Sequence, residues 1–185
     1  MAKLQDIIQW CDQTLKSPEF KDYAPNGLQI EGKTEVRKIL AAVTASQDAI
    51  DAAIRENADL LLVHHGYFWK GEASPITGMR GKRIKSLIQH DISLLAYHLP
   101  LDSHPSLGNN AAIADLLKLE RIEALDPSER HPIGNIGYLN QPMPVEEFKK
   151  FVSEKLKFDV THLPADKTMI EKVGFCTGGA QDYIV

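Results

Sequence analysis

Between residues 38 and 97 three continuous apolar runs, Ile39 to Val43, Leu60 to Val63 and Ile92 to Tyr97, alternate with segments of helical character. Apolar runs without polar alternation read as strands covered on both faces. Between them, Ser46 is placed to cap a helix running to about Asn57, and Arg83 to Gln89 belongs to a second helix. This alternation predicts an α/β fold with a mainly parallel sheet flanked by helices.

The flanking segments extend that plan. Leu4, Ile7, Ile8, Cys11 and Leu15 recur at helical spacing, so a helix is expected over residues 3 to 16, stopped by Pro18. Asp22 to Leu28 reads as a turn, with Pro25 fixing φ and Asn26-Gly27 tolerating a left-handed backbone. A helix from about Asn110 to Leu119 leads into the polar, proline-bearing stretch Asp126 to Pro132. A boundary is placed there, giving a two-lobed subunit: a first α/β lobe over 1–126 carrying the chemistry, and the start of a second α/β lobe over 127–185. In the second lobe Ile133 to Leu139 is expected as a strand. Pro144 opens a helix through Lys157, and Phe158 to Leu163 and Lys172 to Thr177 are read as two more strands. Phe175 to Ala180 is the strand-to-glycine entry of a further helix, with room for only the residues up to Val185, so the spacing predicts a chain cut short of that helix.

The composition excludes several classes. With 43% hydrophobic and 25% charged residues the chain matches a globular protein, and a net charge of −4 gives no bulk attraction to nucleic acid. No apolar run approaches the roughly 20 residues of a membrane helix, and the N-terminus lacks a signal-peptide pattern, so a cytoplasmic location is expected. Cys11 and Cys176, far apart and without zinc-type spacing, read as buried thiols rather than a disulfide.

Polar chemistry collects where two strands end. Val63-His64-His65-Gly66 closes the second strand, at the carboxyl edge where open sheets build ligand sites. Adjacent strand side chains point to opposite faces. The two imidazoles therefore share one metal only if the chain bends, for which Gly66 supplies the freedom, or else serve two metals of a pair. The next strand closes with Tyr97-His98-Leu-Pro-Leu-Asp102-Ser-His104-Pro105, a stiff loop bearing two imidazoles and a carboxylate. Together they form an N/O ligand set suited to zinc, manganese, iron or nickel. His64, His65 and Asp102 are the expected ligands, and His98 or His104 the expected proton carriers. His90, His131 and His162 have no such partners and read as surface residues. Asn26, Gly27 and Gln29 fit a substrate-facing loop and a plain turn equally well, and Tyr67, Phe68 and Trp69 fit either packing or stacking on a heterocycle.

The strings Ala-Pro-Asn-Gly-Leu-Gln (24 to 29), Val-Thr-Ala-Ser (43 to 46), Val-His-His-Gly-Tyr-Phe-Trp-Lys-Gly (63 to 71), His-Leu-Pro-Leu-Asp-Ser-His-Pro (98 to 105), Gly-Asn-Asn (108 to 110) and Cys-Thr-Gly-Gly-Ala (176 to 180) resemble the GTP cyclohydrolase I type 2 homologs, also described as YbgI-type or NGG-one-interacting-factor-three-like proteins. The resemblance spans nearly the whole chain. It implies a dinuclear centre of divalent metal ions, two per complete subunit, in a homo-oligomer built as a toroidal hexamer. By position His64, His65 and Asp102 match metal ligands, and His98 lies close to the centre. The family's late His-x-x-x-Glu pair falls beyond the last residue here, which implies partial metal occupancy.

Three functions are consistent with these residues. The first is a metal-dependent hydrolase acting on a small molecule or nucleotide, cyclohydrolase-like in name. A non-catalytic metal-binding or regulatory ring is the second, and a dinuclear phosphoesterase or nuclease is the third. The acidic balance disfavours the third, which rests on Lys70, Arg80, Lys82, Arg83 and Lys85.

Overall fold

A computed structural model describes residues 1–166 and 168–181. The chain divides into two compact units, Met1–Leu101 and Asp102–Val185. The first contains β1 (Ala2–Lys3), α1 (Leu4–Leu15), β2 (Gly27–Ile30), β3 (Glu35–Val36), β4 (Ile39–Thr44), α2 (Gln47–Arg55), β5 (Leu60–His65), α3 (Gly78–Gln89) and β6 (Ser93–Ala96). A short helix, α4 (Leu99–Ser103), leads into the second unit, which holds α5 (Asn109–Leu116), β7 (Glu120–Ala124), β8 (Asn135–Pro144), α6 (Val145–Leu156) and β9 (Met169–Phe175).

The first unit is built on a four-stranded sheet of order β2-β6-β5-β4. β4, β5 and β6 run parallel, in register Leu40↔Leu61 and Leu61↔Leu94. β2 is antiparallel to β6, with Gly27 opposite Ala96, so the sheet is mixed rather than purely parallel. Gly27 takes φ +96, the left-handed conformation expected of the Asn26-Gly27 turn. One face of the sheet packs on α2 and α3 through Ile50, Ala53, Leu61, Ile84, Leu87 and Leu94. The other packs on α1 through Leu4, Cys11, Leu60, Leu95 and Tyr97. Each fully buried aliphatic side chain in these clusters contributes roughly 1.5–3 kcal/mol.

Helix ends follow local chemistry. α1 stops at Lys16, whose N–H still donates to the Asp12 carbonyl and whose φ of +53 then turns the chain left-handed, two residues before Pro18. Ser46 caps α2 by accepting the Ala49 N–H at 3.2 Å. α3 runs from Gly78 to Gln89 and so contains the expected helical segment Arg83 to Gln89. β4 is an edge strand with one open face, where Ile39 and Val43 are 47% and 69% exposed, and so is not covered on both sides as its apolar run suggests.

The second unit is an antiparallel sheet of order β7-β8-β9, packed through Ala114, Leu117, Leu119, Phe151, Val152 and Val173. β7, Glu-Arg-Ile-Glu-Ala, is a charged strand with no apolar signal. The strand expected over Phe158 to Leu163 does not form, and both of those side chains are exposed. Cys11 and Cys176 are free thiols. Among the described residues no helix is long and apolar enough to cross a membrane.

Candidate metal centre

Strand register builds the site. β5 pairs with β6 as Val63↔Ala96, and Tyr97 donates its N–H to the Val63 carbonyl at 3.0 Å, so the pairing continues past the end of β6. His64 and His65 close β5 at the level where His98 leaves β6. On the other side Thr44, the last residue of β4, pairs with His65. The result is three imidazoles whose ligating nitrogens lie within 4.8 Å of one another. Ring centroids are 4.3 Å apart for His64 and His65, 5.1 Å for His64 and His98, and 5.7 Å for His65 and His98. All three are half-buried.

Hydrogen bonds set the protons of two of these rings. His64 Nδ1 lies 2.9 Å from the Tyr97 carbonyl oxygen, which can only accept, so Nδ1 carries the proton and Nε2 a lone pair. His98 Nδ1 lies 2.7 Å from Asp22 Oδ1 with the same consequence. His65 Nδ1 meets the Thr44 hydroxyl at 3.2 Å, which can donate or accept. Three imidazoles with converging donor atoms are a donor set that fits a divalent first-row ion with a coordination position left for water.

The surroundings of the cluster come from the N-terminal turn. Asn26 Oδ1 accepts the His98 backbone N–H at 2.8 Å, and Asn26 Nδ2 donates to Asp22 Oδ2 at 2.9 Å. Burial alone would raise the Asp22 carboxyl. The His98 imidazole, the Asn26 amide and the Leu99 N–H outweigh it and hold the group below the usual carboxylate range. Gln29 accepts the Tyr67 N–H at 2.7 Å and donates to the Pro25 carbonyl at 2.8 Å, so it braces the loop after β5. Gly66 is required there for space rather than for a left-handed bend. It does not have positive φ, and a Cβ on it would collide with the Gln29 amide and lie 2.7 Å from the Ala96 Cβ.

The aromatic residues after the histidines divide. Tyr67 is buried and donates its hydroxyl to the Ala45 carbonyl at 2.6 Å. Burial pushes that phenol up to about 12, against the lowering influence of Arg83, which keeps it a neutral donor. Trp69 stands edge-on to His98, with centroids 4.8 Å apart, and its Nε1–H donates to the Gly66 carbonyl. Of the basic residues in this region, Arg80 pairs with Glu72 at 2.8 Å, and Glu72 also accepts the Trp69 N–H.

Asp102 and His104 belong to the second compact unit. Asp102 is 2% exposed, and its Oδ1 accepts from Asn109 Nδ2 at 2.7 Å and Thr177 Oγ1 at 3.0 Å. Asn110, equally buried, accepts the Thr177 N–H at 2.8 Å. His104 Nδ1 accepts the N–H groups of Ser106 and Leu107 at 3.3 and 3.0 Å, which places its proton on Nε2. Outside these sites, His90 Nδ1 bonds the Ser86 carbonyl, and His162 lies 3.7 Å from Glu146. Sequence spacing left Asp22 as the start of a turn, since the 76 residues separating it from His98 conceal the contact. The antiparallel pairing of β2 with β6 is the only signal that could have revealed it, and β2 is too short to read.

Fold and cluster together define an α/β protein whose parallel strands end in an imidazole group able to hold a cation. The chain belongs to the Duf34/NIF3 (NGG1p interacting factor 3) family, whose model matches residues 2–185. It is 49% identical over 181 residues to a GTP cyclohydrolase 1 type 2 homolog of Haemophilus influenzae, covering 97% of this chain and 71% of that protein. A protein of the same name in Vibrio cholerae is 50% identical over 177 residues, covering 94% and 69%. Among solved structures, the ybgI protein of unknown function superimposes with a TM-score of 0.92 at 41% identity, over 98% of this chain and 72% of that one. TTHA1606 from Thermus thermophilus gives 0.80 at 30% identity, over 92% and 68%.

Proposed function

We propose that this chain carries the cation site of a metal-dependent hydrolase, with His64, His65 and His98 as the imidazole ligands and Asp102 as a further carboxylate ligand. The observation that carries the reading is the convergence of three imidazole nitrogens within 4.8 Å, two of them fixed in the tautomer a cation requires. Asp102 enters through its match to the family's ligand position, and Asn109 and Thr177 hold one of its oxygens. A divalent ion bound to such a set supplies Lewis acidity and lowers the pKa of coordinated water toward neutrality.

The chain's own groups do the rest. The Tyr97 carbonyl and the Asp22 carboxylate orient two rings, and the Trp69 indole packs edge-on against His98. His104, protonated at Nε2, is the proposed proton donor to a leaving group. The relatives' name makes a purine nucleoside triphosphate the first substrate to try, and resemblance to the family supports two ions per subunit and a toroidal hexamer.

The test loads the protein separately with zinc, manganese, iron and nickel. Each form is incubated with GTP, other nucleoside phosphates and short oligonucleotides, beside His64→Ala and Asp102→Ala. Turnover that both substitutions abolish is the expected result, with metal affinity in His64→Ala reduced on the order of 100-fold or more. Full metal loading without turnover on any substrate would instead favour a binding or regulatory ring. Unchanged metal content in His64→Ala would remove the cation site itself.

A further inference from the structure

The strings Gly-Asn-Asn (108 to 110) and Cys-Thr-Gly-Gly-Ala (176 to 180) meet at one carboxylate. Asp102 is 2% exposed, and its Oδ1 accepts from Asn109 Nδ2 at 2.7 Å and from the Thr177 hydroxyl at 3.0 Å. That hydroxyl also lies 2.9 Å from Asn110 Oδ1. The Asn110 amide is fixed in its orientation, because its Nδ2 donates to the Ile133 carbonyl, which can only accept, and to Asn135 Oδ1 at 3.0 Å. Its Oδ1 then takes the Thr177 N–H at 2.8 Å. Thr177 is thus seated by a residue 67 positions earlier and reaches a carboxylate 75 positions earlier.

The Thr177 hydroxyl has one proton for these two oxygens. A carboxylate that binds a cation is ionised, and a hydrogen bond to an ionised acceptor is roughly twice as strong as one to a neutral amide, so the proton goes to Asp102. Asn110 holds Thr177 through its backbone N–H and leaves the hydroxyl to the carboxylate. A buried amide is costly unless its donors and acceptor are used, and Asn110, at 2% exposure, uses both N–H groups and its oxygen. An apolar side chain would fill the same space without that demand. What the amide adds is direction, since each member of a satisfied buried network fixes the next.

Resting on the cation site proposed above, we infer that Thr177 is a positioning residue that acts through Asp102, with Asn110 as its seat. The direction of the carboxylate, and with it the grip on the ion, is set from the exit of β9. The competing account is that Asn110 and Thr177 merely tie that exit to α5.

Cobalt(II) separates the two accounts, through its affinity in competition with a chelator and its visible d–d absorption. Both are measured on the full chain, with thermal unfolding of the metal-free protein recorded alongside. Thr177→Val, which removes the hydroxyl and keeps the shape, is expected to weaken cobalt binding about 10- to 100-fold and to shift the d–d bands. Thr177→Ser, which keeps the hydroxyl, should retain the wild-type spectrum. In an Asp102→Ala background Thr177→Val should change cobalt binding less than about two-fold, because its route to the ion is gone. Wild-type affinity and spectrum in Thr177→Val, with binding weakened in Asp102→Ala, would overturn the inference and leave the cation site standing. An equal loss with and without Asp102 would also overturn it, since Thr177 would then act through the fold, and so would a Thr177→Ser that behaves like Thr177→Val. If Thr177→Val does not fold, the coupling is read in the wild-type chain: cobalt should slow deuterium exchange in peptides covering residues 174–178 and leave those of α6 unchanged. No slowing at the β9 exit would count against the proposal. Undiminished binding in both His64→Ala and Asp102→Ala would remove the cation site and this inference with it.

Discussion

A methyl group at Gly66 has nowhere to go. It would strike the Gln29 amide and the Ala96 side chain, and the Gln29 amide is what accepts the Tyr67 N–H and braces the loop below the imidazoles. Gly66→Ala should therefore destabilise the protein by about 1–3 kcal/mol, an overpacking cost read from the urea midpoint at constant slope. If the slope and midpoint both stay at wild-type values, the loop has more room than the close approach allows. Asp59 is a second residue with a measurable role. It is 7% exposed and accepts from Lys33 Nζ at 2.9 Å and from the N–H groups of Arg37 and Lys38 at 2.9 and 3.2 Å. The Lys33 bond is the largest influence, and with the two backbone donors it prevails over burial, so the carboxyl lies below its ordinary 3.8. A lowered carboxyl stabilises the fold in full above 3.8, and that contribution disappears as the pH falls through its lower folded value. Urea melts from about pH 6 down to about pH 2.5 should show wild type and Asp59→Asn converging at the acid end. A constant gap between them would mean that the charge at Asp59 is not what stabilises the corner.

At the scale of elements, continuous apolar runs made β5 and β6 legible, because a strand covered on both faces has no polar face to interrupt it; β4 was legible from the same kind of run although one of its faces is open. The end of β5 was legible too, since His64-His65 breaks an apolar run where open sheets carry their ligands. β2 was not, because Gly-Leu-Gln-Ile is four residues long and follows a turn that already explained the glycine. β7 was hidden by its charges, as its pairing with β8 needs only backbone groups and leaves its side chains in solvent. The opposite error occurred over Phe158 to Leu163, where apolar residues suggested burial that the fold does not provide. The sequence left two arrangements open for His64 and His65, a bend that brings them together or alternation that sets them apart, and their centroids lie 4.3 Å from each other.

Considered as a whole, the first unit ties its beginning to its end, because β2 runs against β6 and so delivers the turn around Asp22 to the edge where the parallel strands finish. A cation gripped by His98 would thus reach back, through a single carboxylate, to the opening stretch of the polypeptide. Amides of residues 22–30 should exchange with deuterium more slowly once zinc is added, while those of α3 keep their rates, since a ligand bound only to the closed form suppresses the local openings that expose it. Mass spectrometry of peptides from both regions reads that contrast directly, and equal slowing in both would point to global tightening instead. Losing the ion would then loosen the molecule first at its amino-terminal strap, so that a protease cutting near Tyr23 would report whether the centre is loaded.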